Sequence, residues 1–193
     1  MSLLEAAAVA FGIVSVYLST RQKIWSWPTA IVNVLLYTVV FYGAKLYADM
    51  GLQFVYAVIN AYGWRQWLRG GERQHGVRVT RTPAATVLWL ALAAGTAALV
   101  IGTLMWRLTD AALPYLDAAL SATSLAAQWM LARKLLENWL VWILVDIVYV
   151  PMFLYKGLYL TAGLYVVFLG LSVIGYRTWK REYAKGMNDE APA

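Results

Sequence analysis

Apolar positions along this chain gather into long runs rather than alternating or forming short amphipathic stripes. The runs cover about 4–20, 28–44, 50–67, 84–106, 115–132, 138–155 and 158–176. Each approaches the ~20 residues that a helix needs to cross the hydrocarbon of a bilayer. The pattern predicts seven transmembrane helices. Pro28, Pro83 and Pro114 stand at the starts of runs, where a helix tolerates a missing N–H. Glu5 occupies what would be the basic leader of a signal peptide, and no clear small-residue cleavage site follows. The first run is therefore expected to be a retained helix.

Composition sharpens this picture. The 193 residues are 62% hydrophobic and 13% charged, with a mean hydropathy of +0.59. A soluble domain is about 45–50% apolar and about 25% charged, so the surplus apolar surface belongs in lipid. Seven spans leave about 50 residues for loops and tails, which is too few for a soluble catalytic domain. The expectation is one all-α integral membrane domain over residues 1–193.

Several chemistries drop out. The chain has no cysteine, which excludes disulfides, thiolate catalysis and Cys-based metal sites. The single histidine, His75, lies in a charged loop and reads as a solvated residue. No GxxxxGK[ST] phosphate loop occurs. No cofactor, no metal and no enzymatic activity are expected. The net charge of +6 marks cytoplasmic loops rather than a nucleic-acid surface.

The distribution of that charge predicts the orientation. Arg21, Lys23, Arg65, Arg69, Arg73, Arg78, Arg81, Arg133, Lys134, Arg177, Lys180, Arg181 and Lys185 fall on one side of the membrane. Only Lys45, Arg107 and Lys156 fall on the other. Because positive loops stay inside, the N-terminus is expected outside and the C-terminus in the cytoplasm.

Shifted by 112 residues, the sequence meets itself. Glu5 falls on Asp117, Arg21 on Arg133, Trp27 on Trp139, Tyr37 on Tyr149, Gly63 on Gly175, Arg65 on Arg177 and Trp67 on Trp179. The matches predict a repeat over 1–68, a linker helix over 84–106 and a second repeat over 115–180. Three spans per half would invert the second copy, and the fourth span restores its direction. The repeats are then parallel, an architecture of transporters with a solute site near the midplane between halves.

Polar residues inside spans are expensive and normally face the bundle interior. Gln53, Tyr56, Asn60 and Trp64 share one helical stripe of span 3. Their partners at the repeat offset are Tyr165, Phe168, Ser172 and Tyr176. Span 5 carries Asp117, Ser121, Ser124 and Gln128, and span 2 carries Asn33 and Tyr37. Span 6 is richest, with Asn138, Trp139, Trp142, Asp146 and Tyr149 along one side, followed by Pro151. Asp146 is one residue out of register with Asn33 in the repeat and is read as its functional counterpart. The competing reading of every such residue is interhelical glue. Trp25, Trp67, Trp106 and Trp179, at span ends, read as interfacial belt residues. Arg133, Lys134 and Glu137 read as a solvated turn. A pocket of amides, aromatic rings and one carboxylate suits a flat, polar, cationic heteroaromatic solute.

The segment Leu135-Leu-Glu-Asn-Trp-Leu-Val-Trp142, with Asp146 and the run Tyr155-Lys-Gly-Leu-Tyr159, resembles the PnuC-type vitamin transporters. So do Ser124-Leu-Ala-Ala-Gln128 with Arg133-Lys134, Leu46-Tyr47-Ala48, and Gln53 with Tyr62-Gly63-Trp64. The resemblance runs from the first span to Trp179. It implies a 3+1+3 bundle of parallel repeats, SWEET-like in architecture, in a bacterial inner membrane. It also implies uptake of nicotinamide riboside by facilitated diffusion, with trapping by intracellular phosphorylation. Gln53, Asn60, Trp142 and Asp146 would then line the substrate site, where many relatives have Asn in place of Asp146.

Two alternatives stay open. One is a transporter of thiamine or, less in keeping with a carboxylate, of neutral riboflavin. The other is a vitamin-binding membrane subunit that needs an ATPase partner docked on the basic loop 65–81. The sequence is also compatible with a homo-oligomer.

Overall fold

The structure is a computed structural model that describes residues 3–43, 47–69, 78–109, 113–155, 157 and 159–189. His75 and the basic residues Lys45, Arg73 and Lys156 lie outside the described residues, as does Leu46. Among the described residues the chain forms seven helices. They are α1 (Leu3–Thr20), α2 (Ser26–Gly43), α3 (Tyr47–Arg69), α4 (Ala84–Leu108), α5 (Pro114–Ala132), α6 (Asn138–Tyr155) and α7 (Tyr159–Asp189). Pro83 immediately precedes α4 and Pro114 opens α5, as the sequence pattern requires. Pro151 lies inside α6, which runs on to Tyr155. The last helix is longer than its apolar run: its charged end continues to Asp189, with Trp179 and Tyr183 still packed on the core.

Leu3–Thr20, Ala84–Leu108, Asn138–Tyr155 and Thr161–Gly186 are each long and apolar enough to cross a membrane on their own. The remaining helices α2, α3 and α5 supply much of the polar interior. Among the described residues, α1, α2, α3, α5, α6 and α7 pack in that order into a closed ring, with α7 returning to α1. The contacts α1–α7 and α3–α5 join the trio α1–α3 to the trio α5–α7. Helix α4 lies outside the ring against α5. Its outward side presents Trp89, Leu92, Leu99, Val100 and Leu104, a surface that only lipid solvates well.

The ends of α1 and α5 are built alike. The amide of Lys23 donates to Leu18 O at 2.9 Å and that of Gln22 to Ser19 O at 3.0 Å. At the repeat offset, Leu135 donates to Met130 O at 3.0 Å and Lys134 to Leu131 O at 3.0 Å. These are paired Schellman closures, which need a left-handed residue just past the helix. Gln22 (φ 54°) and Lys134 (φ 52°) fill that position without being glycine.

Four tryptophans gather at this end of the ring. Trp27 meets Trp67 edge to face at 5.3 Å and 84°, and Trp139 meets Trp179 at 5.5 Å and 86°. Gly63 and Gly175 make room: a Cβ at either would lie 2.3 or 2.6 Å from the Trp27 or Trp139 ring. Trp67 and Trp179 are thus core residues, 7% and 0% exposed, rather than interfacial belt residues. The reason is the glycine one turn before each, which lets the neighbouring helix bring a ring over it. Trp25 and Trp106 do remain exposed, at 69% and 63%.

The turn from Arg133 to Glu137 is engaged rather than solvated. Thr80 pairs with it as a short parallel bridge, donating to Lys134 O at 3.1 Å and accepting from the Leu136 amide at 2.8 Å. Glu137 Oε2 accepts from the Thr82 amide and hydroxyl, both at 2.7 Å, and Arg81 Nε stands 3.3 Å from Oε1. Burial alone would raise the Glu137 pKa, but these donors and the Arg81 charge together hold it below the ordinary carboxylate value. The segment Val79–Thr82 that leads into α4 is thereby clamped to the second trio.

Candidate functional site

Inside the ring, α3 turns one face toward the centre. Gln53, Tyr56 and Asn60 share it because they are three and four residues apart. From α5 come Ser121, Ser124 and Gln128, from α6 Trp142, Asp146 and Tyr149, and from α7 Tyr165, Phe168 and Ser172. Asn60 and Asp146 are each only 2% exposed. Neither could be buried cheaply without a partner.

Each has one. Gln128 Nε2 donates to Asn60 Oδ1 at 2.7 Å, joining α5 to α3. The Ser172 hydroxyl donates to Asp146 Oδ2 at 3.1 Å, joining α7 to α6. Asn60 and Ser172 are themselves related by the repeat offset. The two halves therefore place a polar pair at equivalent positions on α3 and α7.

Aromatic rings surround the pairs. Tyr149 stacks on Phe153 at 5.3 Å and 11°, and Tyr165 lies 4.7 Å from Tyr149, 5.0 Å from Phe153 and 5.7 Å from Phe168. Tyr165 is within electrostatic reach of Tyr37, Tyr56, Tyr149 and Asp146. Tyr56 faces Tyr149 and Ser124, and Tyr149 also faces Ser121 and Asp117. The Ser124 hydroxyl is buried beside both phenols. Trp142, half-buried, packs against both the tryptophan cluster and the Tyr149 cluster. It is the floor between the closed end of the ring and its polar centre.

The structure thus brings together Tyr37, Tyr56, Asn60, Ser124, Gln128, Trp142, Asp146 and Tyr149. Gln53 lies two turns along α3 from Asn60, about 10 Å away. Two amides are spent elsewhere. Asn33 Nδ2 donates to Ala8 O at 2.7 Å, tying α2 to α1 where Gly12 leaves space for it. Asn138 Nδ2 donates to Leu135 O at 2.6 Å, closing the turn at the tryptophan end. Asn33 therefore bonds to backbone within its trio, whereas Asp146 bonds to a side chain. Ser172, Tyr165 and Phe168 are central residues that the composition of α7 hides. Only their repeat alignment with Asn60, Gln53 and Tyr56 points to them.

Among the described residues no group of three or more His, Cys, Asp or Glu could hold a metal ion. The chemistry on offer is recognition: the buried Asp146 carboxylate with Asp117 near Tyr149, an amide pair, hydroxyls and ring faces in a water-poor space. The family described as Nicotinamide mononucleotide transporter matches residues 2–181. The chain belongs to this family.

Individual relatives agree. The nicotinamide riboside transporter PnuC of Escherichia coli (strain K12) is 24% identical over 204 residues, covering 93% of this chain and 85% of that protein. The riboflavin/roseoflavin transporter RibM of Streptomyces davaonensis is 30% identical over 191 residues, covering 94% and 88%. PnuC of Neisseria mucosa is 29% identical over 196 residues, covering 93% and 73%. A crystal structure of the vitamin B3 transporter PnuC superposes with a TM-score of 0.75 at 27% identity, covering 95% of this chain and 83% of that one. The chain is an all-α, multi-pass membrane protein of a transporter family and not an enzyme.

Proposed function

We propose that the protein carries nicotinamide riboside into bacteria across the inner membrane by facilitated diffusion, with later trapping by intracellular phosphorylation. The observation that carries this reading is the Asp146 carboxylate set among the rings of Tyr149 and Tyr165, one turn from Trp142. A buried carboxylate beside aromatic faces favours a flat cation. The pyridinium of nicotinamide riboside is one. The amide pair Gln128–Asn60 adds hydrogen-bonding capacity for a carboxamide or a sugar hydroxyl. One chain supplies every residue named here, so the reading needs no second copy. The positive loops set the N-terminus outside and the C-terminus in the cytoplasm.

Counterflow in proteoliposomes tests it. Labelled nicotinamide riboside should exchange with no ATP and no ion gradient, and excess unlabelled solute should stop the uptake of label. Absence of exchange by the purified chain would favour a binding subunit that needs an ATPase partner.

A second reading is flavin transport, which the 30% identity to a riboflavin/roseoflavin transporter favours. Thiamine, also a cation, belongs in the same comparison. Exchange of labelled riboflavin or thiamine with no exchange of nicotinamide riboside would transfer the assignment.

A further inference from the structure

The end of the ring that carries the α1–α2 and α5–α6 turns is held by two different kinds of contact. Within each trio the packing is tight and repeated. Trp27 sits over Gly63 and against Trp67, and Trp139 sits over Gly175 and against Trp179, with no room for even a methyl group at either glycine. Between the trios one apolar cluster, holding Trp67 with Leu131, Leu136 and Trp179, is joined by a handful of polar and cation–π contacts. Trp67 and Trp179 face each other at 6.2 Å and 48°. Trp179 Nε1 donates to Ser19 O at 3.1 Å. Arg133 Nη1, at the exposed rim, donates to Tyr62 Oη at 3.4 Å. Lys134 makes two more contacts: its Nζ lies 4.6 Å from the centre of the Trp67 ring and donates to Gln22 Oε1 at 3.2 Å.

Lys134 belongs to the second trio, and both of its partners belong to the first. Gln22 is its own repeat counterpart, so the bond joins equivalent points of the two halves. Half-buried, the ammonium has exchanged part of its water for a ring face and a carbonyl oxygen, and water can take their place again. This burial pushes the lysine pKa below its ordinary value, with Glu182 acting in the opposite direction. Contacts of this kind lie along a parting line. Contacts that exclude a methyl group do not.

We infer that Lys134, through Gln22 and the Trp67 ring, is the latch of a gate that closes this end of the ring between two rigid trios. The inference rests on the transport reading above: a solute at the polar centre can leave through this end only if the trios separate here. Release of Lys134 would let Trp67 and Trp179 part, while each Trp–Gly pair stays intact within its own half. The segment Val79–Thr82, fastened to the Lys134–Glu137 turn, ties α4 to the second trio. The moving bodies are then α1–α3 and α4–α7.

The natural chain contains no cysteine, so one introduced thiol reports cleanly. Ala132→Cys places it in the tryptophan cluster at a fully buried position. In proteoliposomes a water-soluble methanethiosulfonate should label it slowly in the otherwise native chain and at least severalfold faster with Lys134→Met, with Lys134→Arg restoring slow labelling. Equal rates in the native and Lys134→Met backgrounds, with an unchanged thermal transition, would overturn the latch. A second arm covers a Lys134→Met variant that fails to fold. In a Tyr62→Cys/Arg133→Cys chain, which keeps Lys134 and spans the same junction, a short bis-methanethiosulfonate should stop uptake of labelled nicotinamide riboside, and a reductant should restore it. Uptake that continues across the link would mean that this end never opens. If no vitamin is transported at all, the transport reading fails, and the labelling arm still decides whether Lys134 holds the two halves together.

Discussion

Gln128 on α5 donates from Nε2 to Asn60 Oδ1 on α3 at 2.7 Å, so one hydrogen bond crosses between the halves at the level of the polar centre. With that bond made, Asn60 keeps its N–H groups and Gln128 keeps its carbonyl oxygen. The pair presents a donor beside an acceptor, which is the complement of a primary amide. Asn60→Leu or Gln128→Leu alone strands its partner, at a cost of about 1–3 kcal/mol in stability where that partner is the buried Asn60 and less where it is the half-buried Gln128. The double variant should recover much of that stability and still bind nicotinamide riboside poorly. A thermal-denaturation cycle alongside binding titrations separates the two effects. Native affinity in the double variant would make the pair interhelical glue alone.

Trp142 packs against both aromatic clusters and so forms the boundary between the tryptophan end and the solute centre. Trp142→Ala is expected to weaken binding by roughly 1–3 kcal/mol, through lost stacking and cation–π attraction. Trp142→Phe should keep most of the affinity. An alanine variant that titrates like the native protein would reduce Trp142 to packing.

The repeat makes a paired prediction on stability. Gly63→Ala and Gly175→Ala each drive a methyl into a tryptophan ring at less than 3 Å. Both rings are almost fully buried, 1% and 2% exposed, and have little room to retreat, so each should cost about 1–3 kcal/mol. Both should lower the midpoint of thermal unfolding in detergent by similar amounts. Gly51→Ala, where nothing lies within 4 Å of the added carbon, should not.

Much of this arrangement is legible in the sequence, and the exceptions are instructive. Apolar run lengths and helix-opening prolines locate the helices, because bilayer thickness leaves little choice of length. The 112-residue offset already pairs Trp27 with Trp139 and Gly63 with Gly175, residues that turn out to make the same contact twice. Trp67 and Trp179 mislead because each stands at a span end beside arginines or lysines, as belt tryptophans do. The signal against that reading is a glycine four residues earlier, whose meaning depends on which helix lies opposite. Ser172 shows in the sequence only as the repeat partner of Asn60. Its own partner, Asp146, emerges only when α6 and α7 are packed together.

Glu137 should make stability depend on pH in a defined direction. Its folded-state pKa is lowered by the Thr82 donors and Arg81. The clamp therefore contributes fully above the unfolded-state value of about 4.3. Its contribution fades as pH falls through the lower folded-state value. Glu137→Gln should be less stable than the native chain at pH 7, and the gap should close toward about pH 3. Unfolding midpoints recorded across that range check the sign. A gap that widens in acid would contradict it.

Asp146 and Ser172 separate recognition of charge from the joining of helices. The carboxylate accepts from Ser172 Oγ at 3.1 Å and lies within electrostatic reach of Tyr149 and Tyr165. Asp146→Asn keeps the shape and an acceptor for Ser172 but removes the charge. Ser172→Ala keeps the charge but removes the bond between α6 and α7. If the site reads a cation, Asp146→Asn should weaken nicotinamide riboside by ~2 kcal/mol, roughly thirtyfold, with transport retained at saturating solute. Riboflavin, which carries no charge, should lose little, so the ratio of the two affinities shifts. Ser172→Ala should lower both affinities together through a looser site. Competition titrations of nicotinamide riboside, thiamine and riboflavin on the three proteins give that ratio directly. Equal losses for charged and neutral solutes in Asp146→Asn would leave the carboxylate as a tie between α6 and α7, with no part in selecting the solute.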